Sequence, residues 1–176
     1  FIDEHFSQKF TKVERSMYSL RSLGCKPHQL SPTSISYLYR QYCQSKMKYG
    51  LETVHISVTK LKEIHSRQSI LIKYAIGLGK HARTQPLIDS LNIENINQLY
   101  MKHKLFFYKQ IQSNNLTKTI FNHLRNYYLE GKLQKNSFIS QLASVESCIA
   151  QKVDELNFEV LAKLVETKFK STKIGL

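Results

Sequence analysis

Helix-breaking residues are scarce in this chain. Its 176 residues include only six glycines and three prolines, while Leu, Lys and Gln, which fit well in helices, are frequent. Apolar side chains recur at steps of three and four residues, the spacing that places them on one face of an α-helix. The clearest example is the stripe Phe6, Phe10, Val13, Met17 and Leu20. The sequence therefore predicts an all-α fold, a bundle of about 6–8 helices arranged as one body or as two packed helical subdomains.

Capping residues and glycines predict the ends of the first three helices. The first helix should run over 5–23 and end at Gly24, because glycine readily adopts the left-handed conformation that follows a helix. Ser31 is followed by a proline, which is the usual beginning of a helix, and this second helix should reach Tyr49. A third helix should begin at a serine cap and run over 57–76.

The rest of the chain is also predicted to be helical. Further helices are expected over 84–91, 95–112, 117–129, 137–150 and 155–169. We expect residues 1–112 to form one helical bundle and residues 113–176 to form a C-terminal helical extension. The chain begins with Phe1 rather than methionine, and we therefore expect it to be a piece of a longer protein.

Two faces are predicted for the second helix. Its buried stripe should comprise Ile35, Leu38, Tyr39, Tyr42 and Cys43. Its exposed face should comprise Tyr37, Arg40, Gln41, Gln44 and Lys48. The exposed set is basic and rich in amides, with one aromatic ring, and it is the kind of surface that contacts phosphate and sugar oxygens.

The charge of the chain is strongly positive and unevenly distributed. Twenty-six basic residues against 13 acidic ones give a net charge of +13. Residues 1–85 hold 14 basic and five acidic side chains, a net +9, whereas residues 86–176 hold 12 and eight, a net +4. An anionic partner bound mainly to the first half is the natural hypothesis, with nucleic acid ahead of an acidic membrane surface. A merely solubilising surface is the alternative.

Several kinds of chemistry lack their usual residue patterns. The three cysteines (Cys25, Cys43 and Cys148) are widely spaced, which excludes a zinc finger and suits a reducing compartment, nuclear or cytoplasmic. Asp-Asp and Asp-x-Asp pairs are absent, so the carboxylate cluster that holds Mg²⁺ for phosphoryl transfer is not expected. We expect no catalytic centre, no metal or other cofactor, and no membrane span. A Ser/His/Asp or Cys/His site stays open.

Basic and polar residues on helix faces and in one loop are the candidate binding residues. They comprise Lys12, Arg15 and Ser19 on the first helix, Tyr37, Arg40 and Lys48 on the second, and Lys80 and Arg83 after the third. The lysines and arginines would neutralise phosphates, and a tyrosine can stack on a base or bond a ribose hydroxyl. A solvated polar face is the alternative for any one of them.

Short words spread over residues 1–110 resemble a known family. They are Met17-Tyr18-Ser19-Leu20-Arg21-Ser22-Leu23-Gly24-Cys25, Leu30-Ser31-Pro32, Leu38-Tyr39-Arg40, Tyr49-Gly50-Leu51-Glu52, the stretch 61–68, Gly77, Arg83-Thr84, Pro86-Leu87, Leu91, Ile93 and Lys104-Leu105-Phe106-Phe107. In order and spacing they resemble the region after the polymerase palm in reverse transcriptases of non-LTR (LINE-type) retrotransposons. Relatives often have a basic residue, proline and apolar residues where this chain has 44–48, so the second helix should continue without a break.

This resemblance implies a thumb domain and its C-terminal extension. Such a domain grips the RNA template and the RNA–DNA hybrid for the palm and fingers of the same parent protein, without a catalytic role. Lys12, Arg15 and Ser19 would then lie near the minor groove of the hybrid, and the loop over 80–84 would hold RNA. Two alternatives stay open. One is a helical protein-interaction or structural module, such as a domesticated element remnant, and the other is an enzyme with an unrecognised active site.

Overall fold

The computed structural model describes residues 2–132, 137–149 and 163. Throughout this part, the chain forms helices and turns and contains no strand, so the predicted all-α fold is confirmed. The elements are α1 (Ile2–Ser22), α2 (Pro32–Leu38), a π-helical segment (Tyr39–Gln44), α3 (Ser45–Lys48), α4 (Val58–Ile76), α5 (Thr84–Ser90), α6 (Ile96–Ser113), α7 (Asn115–Leu129) and α8 (Phe138–Ile149). The predicted helix over 155–169 lies outside the described residues, apart from residue 163.

The chain divides into two compact units. The first unit comprises Phe1–Gly50 and Ile56–Leu99, and the second comprises Leu51–His55 and Tyr100–Leu176. The short segment Leu51–His55 thus belongs with the residues from Tyr100 onward, although it lies between α3 and α4 in sequence. The division of the chain between residues 112 and 113 stays a prediction.

Local capping chemistry sets the helix ends that were predicted. The Ser31 hydroxyl accepts a hydrogen bond from the Ser34 amide at the start of α2, and Ser57 caps α4 in the same way. Gly77 ends α4 in the left-handed conformation with φ +85°. A Cβ atom at Gly77 would lie 2.8 Å from Pro27 Cβ, so glycine is required both for its backbone angle and for space.

The core of the first unit contains the predicted apolar stripe of α1. All five of its residues are buried, and α1 packs on the π-helical segment, α3 and α4. From α4, Leu61, Ile64, Leu71 and Ile72 are also buried. Burying aliphatic and aromatic side chains of this size contributes about 1.5–3 kcal/mol each. This packing fixes the side of α1 that faces solvent, which is the side that carries the candidate binding residues.

The helical path from Pro32 to Lys48 continues without a break, but its middle turn is π-helical rather than α-helical. A π-turn is wider than an α-turn, so it changes the direction in which the following side chains point. Two predictions on this helix are wrong for that reason. Tyr42, expected in the core, is 58% exposed, and Gln44, expected on the outer face, is 2% exposed.

The buried glutamine has a structural task. The Gln44 side-chain amide donates to the Glu94 carbonyl at 2.8 Å. Gln68 on α4 donates to the same carbonyl at 3.1 Å and accepts from the Ile96 amide at 3.0 Å. Because buried backbone groups need hydrogen-bond partners, these two glutamines attach the start of α6 to the end of the π-helical segment. Met47, three residues after Gln44, is buried as well, and this orients α3.

The second unit has a core of its own, centred on aromatic rings. Its buried residues are Leu105, Tyr108, Phe121, Ile139 and Leu142. The rings of Tyr108 and Phe121 lie 5.2 Å apart between centroids, within the range of favourable aromatic contact. Phe121 is the only residue of α7 that is buried among those described, so it attaches this helix to the core.

A lysine is buried in the second unit. Lys104 is 1% exposed, and its ammonium group donates to the Glu52 carbonyl at 3.3 Å. It also lies 4.9 Å from the ring centroid of Tyr100 and 5.3 Å from that of Phe138. Burial lowers the pKa of Lys104 to about 8, and the nearby charge of Glu52 opposes this shift. The lysine thereby holds the segment Leu51–His55 on α6.

Candidate nucleic-acid interface

One face of α1 is basic and rich in hydroxyls. Lys9, Lys12, Ser16 and Ser19 follow each other at steps of three and four, and Arg15 lies on the same face, three residues after Lys12 and four before Ser19. At 1.5 Å per residue, this face extends over about 15 Å. Because the apolar stripe of α1 is buried on the other side of the helix, the five polar side chains are held toward solvent.

This face forms one wall of an open cleft of about 550 Å³. The opposite wall comes from α3 and the residue that follows it. The cleft is lined by Lys9, Lys12, Arg15, Ser16, Ser19, Lys46 and Tyr49. Four of these seven residues are cationic and none is acidic. We refer to this feature as the basic cleft.

Hydrogen bonds across the cleft join its two walls. The Lys46 ammonium donates to the Ser16 hydroxyl, and the Lys9 ammonium donates to the Tyr49 carbonyl. The hydroxyls of Ser16 and Ser19 donate to carbonyls of the preceding turn of α1, at 2.8 and 2.9 Å. A hydroxyl that donates in this way still has acceptor capacity, and it can reorient to donate to a ligand oxygen.

The acidic residue in the middle of α1 is neutralised within the first unit. Arg67 of α4 forms a two-point ion pair with Glu14, with distances of 2.6 and 3.1 Å. The same guanidinium donates to the hydroxyls of Ser7 and Thr11, and it lies 4.9 Å from the ring centroid of Phe10. Since a carboxylate paired in this way contributes little negative potential, the cations of the basic cleft act with little local compensation.

The structure brings together three of the residues predicted from the sequence. Lys12, Arg15 and Ser19 are exposed and line the basic cleft. Lys48, predicted on the exposed face of the second helix, lies outside the cleft lining and pairs with Glu94 at 4.0 Å. Whether these residues bind a ligand stays a prediction.

The other predicted residues lie elsewhere on the first unit. Tyr37 is exposed on α2, and Arg40 is half-buried in the π-helical segment. The Arg40 Nε atom is buried and has no hydrogen-bond partner in the part of the chain that the structure describes. Lys80 and Arg83 are exposed in the loop after α4, where the Lys73 ammonium donates to the Lys80 carbonyl at 3.1 Å. None of these four lines the basic cleft.

Four residues of the cleft were missed by the sequence reasoning. Lys9 and Ser16 could have been found, because they continue the spacing of three and four residues that selected Lys12 and Arg15. Lys46 and Tyr49 had no comparable signal. Their place depends on how α3 packs against α1, and the π-helical segment before α3 determines this packing.

Among the described residues, no three histidine, cysteine or carboxylate side chains are grouped as a metal ion would require. In the same part of the chain, every helix is too short or too polar to cross a membrane. The chain matches no protein-family model, no curated protein and no solved structure.

Proposed function

We propose that the first unit binds nucleic acid through the basic cleft, as a thumb-type domain of a LINE-type reverse transcriptase would. The observation that carries this proposal is the cleft itself, in which four cations and two serine hydroxyls converge and none of the seven described lining residues carries a carboxylate. The ligand would be the RNA template or its RNA–DNA hybrid. The palm and fingers of the same parent protein would be the other partners, in the nucleus and the cytoplasm.

The mechanism we propose is positional. Each lysine or arginine that neutralises a phosphate releases a condensed counterion, which makes the affinity depend steeply on salt. Serine hydroxyls add hydrogen bonds to phosphate or sugar oxygens and fix the register of the strand. Because the contacts are made to the backbone, shape would determine the preference more than base identity. The domain would hold the primer end in place and contribute no group to the chemistry.

Salt-dependent binding tests this proposal. Fluorescence anisotropy should be measured with an RNA–DNA hybrid, duplex DNA, duplex RNA and single-stranded RNA, each over a series of salt concentrations. We expect tighter binding to the hybrid or to RNA, with a steep slope. The triple variant Lys12→Gln/Arg15→Gln/Lys46→Gln should lower the magnitude of the slope by about 2–3, close to one per lost phosphate contact.

A control variant separates local contacts from general attraction. Lys26→Gln/Lys62→Gln/Lys118→Gln removes the same net charge from exposed positions outside the cleft lining. It should leave the slope almost unchanged. Equal effects of the two triple variants, or weak and equal binding of all four ligands, would mean that the net charge acts only as a generic attraction and that the proposal is wrong.

A second candidate function, a helical protein-interaction module, is supported by α7 in the second unit. Leu116, Ile120, Leu124 and Tyr127 follow at steps of four and three on this helix, and all four are exposed. The stripe is uncharged and extends over about 16 Å. Such a stripe fits the apolar face of another helix, and α7 of a second copy of this chain offers the same stripe, so that the interface would be self-complementary.

Sedimentation velocity distinguishes this second function from the first. The experiment should be run at low and high salt, because the charge of +13 on each copy opposes association until it is screened. Leu116→Ser/Leu124→Ser should abolish self-association and leave nucleic-acid binding intact. The triple variant Lys12→Gln/Arg15→Gln/Lys46→Gln should weaken nucleic-acid binding and leave self-association intact. A protein that stays monomeric at high salt contradicts the second candidate.

A further inference from the structure

The basic cleft ends at an aromatic ring that has no role in the core. Tyr49 follows α3 directly, at the point where the backbone turns to an extended conformation (φ −63°, ψ 121°). Its side chain is 84% exposed, more than that of any other tyrosine or phenylalanine in the described part of the chain. An aromatic residue this exposed buries little apolar surface and therefore stabilises the fold very little.

The position of Tyr49 is fixed even though its ring is exposed. Lys9 donates to its carbonyl, and the same ammonium lies 5.7 Å from the ring centroid. The next residue, Gly50, has φ +74°, and a Cβ atom there would lie 3.3 Å from the Lys9 ammonium. The glycine thus allows the lysine to approach the backbone closely. Because the backbone at Tyr49 is already held, the freedom still to be lost when a ligand binds is mainly that of the side chain.

A ring at the end of a row of cations matches one ligand chemistry. Cations that follow a nucleic-acid backbone and an aromatic side chain on which a base stacks are the two components of single-strand binding sites. In a duplex the bases already stack on each other, whereas unpaired bases are free to stack on protein side chains. A blunt duplex would therefore contact the cations of the cleft and leave Tyr49 unused.

We propose that the basic cleft recognises a nucleic-acid strand whose base beside the bound phosphates is unpaired, and that this base stacks on Tyr49. The inference rests on the proposed function, because it places a base beside phosphates that the cleft binds. It assigns a ligand class, namely a single-stranded extension that adjoins a duplex, in preference to the blunt duplex. Tyr49 would then select for the junction while Lys12, Arg15 and Lys46 supply most of the affinity.

The test compares two ligands that differ only in the unpaired bases. One is a short blunt RNA–DNA hybrid, and the other is the same hybrid with a single-stranded RNA extension. The wild-type chain should bind the extended hybrid about tenfold more tightly, a difference typical of one stacked base. Tyr49→Ala should remove this preference, whereas Tyr49→Phe should keep it, because stacking needs the ring and not the hydroxyl.

A fluorescent base in the extension provides a direct readout of stacking. With 2-aminopurine as the first unpaired base, binding of the wild-type chain and of Tyr49→Phe should quench its fluorescence, and binding of Tyr49→Ala should not. Tyr42→Ala is the matched control, since Tyr42 is another exposed tyrosine that lies outside the cleft lining. This control should retain both the preference and the quenching. All variants should keep the wild-type thermal midpoint, because neither ring is buried.

The possible failures are distinguishable. If Tyr49→Ala keeps the preference, or if the wild-type chain binds both hybrids equally, the stacking inference is overturned. The proposed function then stands, provided that Lys12→Gln/Arg15→Gln/Lys46→Gln still weakens both complexes. If the wild-type chain binds neither hybrid in a salt-dependent way, both the inference and the proposed function are overturned.

Discussion

The helices α1 and α7 belong to different units and expose opposite kinds of surface. On α1, a well-buried apolar stripe leaves a solvent face of lysine, arginine and serine. On α7, Phe121 is the buried anchor among the described residues, and leucine, isoleucine and tyrosine side chains are exposed. Both helices are amphipathic, so the periodicity that predicts a helix does not predict which face will be buried. Which face is buried depends on the number and positions of the side chains that pack into the core.

Two clusters, one in each unit, accommodate buried or half-buried charge in different ways. In the first unit, Arg67 and Glu14 neutralise each other in a two-point ion pair. In the second unit, Lys104 is buried against a carbonyl oxygen and two aromatic rings. A desolvated lysine loses part of its proton affinity, so the stability of the second unit should depend on pH through Lys104.

The largest expected effect on stability comes from comparing the buried Phe121 of α7 with the exposed apolar stripe of the same helix. Phe121→Ala should lower the free energy of unfolding by about 3–5 kcal/mol, because it removes a buried ring and leaves a cavity. Leu116→Ser on the same helix should change it by less than about 0.5 kcal/mol, because Leu116 is 70% exposed. Guanidinium denaturation followed by circular dichroism measures both. Similar losses for the two variants would show that the exposed stripe is packed in solution.

A smaller effect is expected from the ion pair of the first unit. Arg67→Ala should destabilise the chain by about 2 kcal/mol, since it leaves a half-buried Glu14 carboxylate without its partner and the Phe10 ring without its cation. The partial exposure of both side chains keeps the loss below that of a fully buried pair. A double-mutant cycle with Glu14→Gln measures the coupling.

Lys132 and Glu130 provide the control for this cycle. They form an ion pair of 2.7 Å after α7, in which both side chains are more than half exposed. Lys132→Ala should therefore destabilise the chain by less than about 0.5 kcal/mol. A coupling between Arg67 and Glu14 no larger than that between Lys132 and Glu130 would contradict the stabilising role given to the first pair.

The smallest expected effect concerns pH. Below pH 8, Lys104 is charged in both the folded and the unfolded chain, so its contribution is constant. Between about pH 8 and its ordinary pKa of 10.5, only the unfolded chain binds the proton, and stability rises with pH. Urea denaturation should show a gain of about 1 kcal/mol from pH 8 to pH 9, which Lys104→Met removes. The exposed Lys118→Met should retain the gain.

At higher pH the first unit should oppose this gain. Burial raises the pKa of the Cys43 thiol to about 12, against the nearby charge of Lys46 and with help from Cys25. Its stabilising contribution is complete below pH 9 and is lost as the pH rises toward 12, because the unfolded thiol ionises first. Cys43→Ala should lessen the decline in this range, and part of the decline should remain because burial also raises the pKa of Tyr39. A wild-type stability that still rises between pH 10.5 and 12, where the gain from Lys104 has ended, would contradict the assignment.

Local rules explain why most of the fold could be predicted from the sequence. Ser31, Ser57 and Gly77 act within one turn of the chain, and the helix ends they determine agree with the structure to within a residue or two. The stripe of α1 was predictable for the same reason, since its spacing alone defines a face. The π-helical segment was not predictable, because it is accompanied by a hydrogen bond from the buried Gln44 side chain to a distant part of the chain.

The basic cleft was predictable only on one wall. The periodicity of α1 selected Lys12, Arg15 and Ser19, and the structure places all three in the cleft. The other wall arises from tertiary packing, and no spacing in the sequence relates Lys46 or Tyr49 to α1. Lys48 shows the same limit of prediction. Its basic side chain made it a candidate binding residue, but in the structure it pairs with Glu94.

The π-helical segment has a consequence for comparing this chain with other sequences. A relative with a regular α-helix in place of Tyr39–Gln44 would need one residue fewer to span the same turn. An alignment without a gap there would displace every later position by about 100° around the helix. It would then align Lys46 and Tyr49 with residues on a different side of the relative's helix, and these two cleft residues would look unconserved. Alignments through this region should therefore be checked with a one-residue gap between residues 39 and 44.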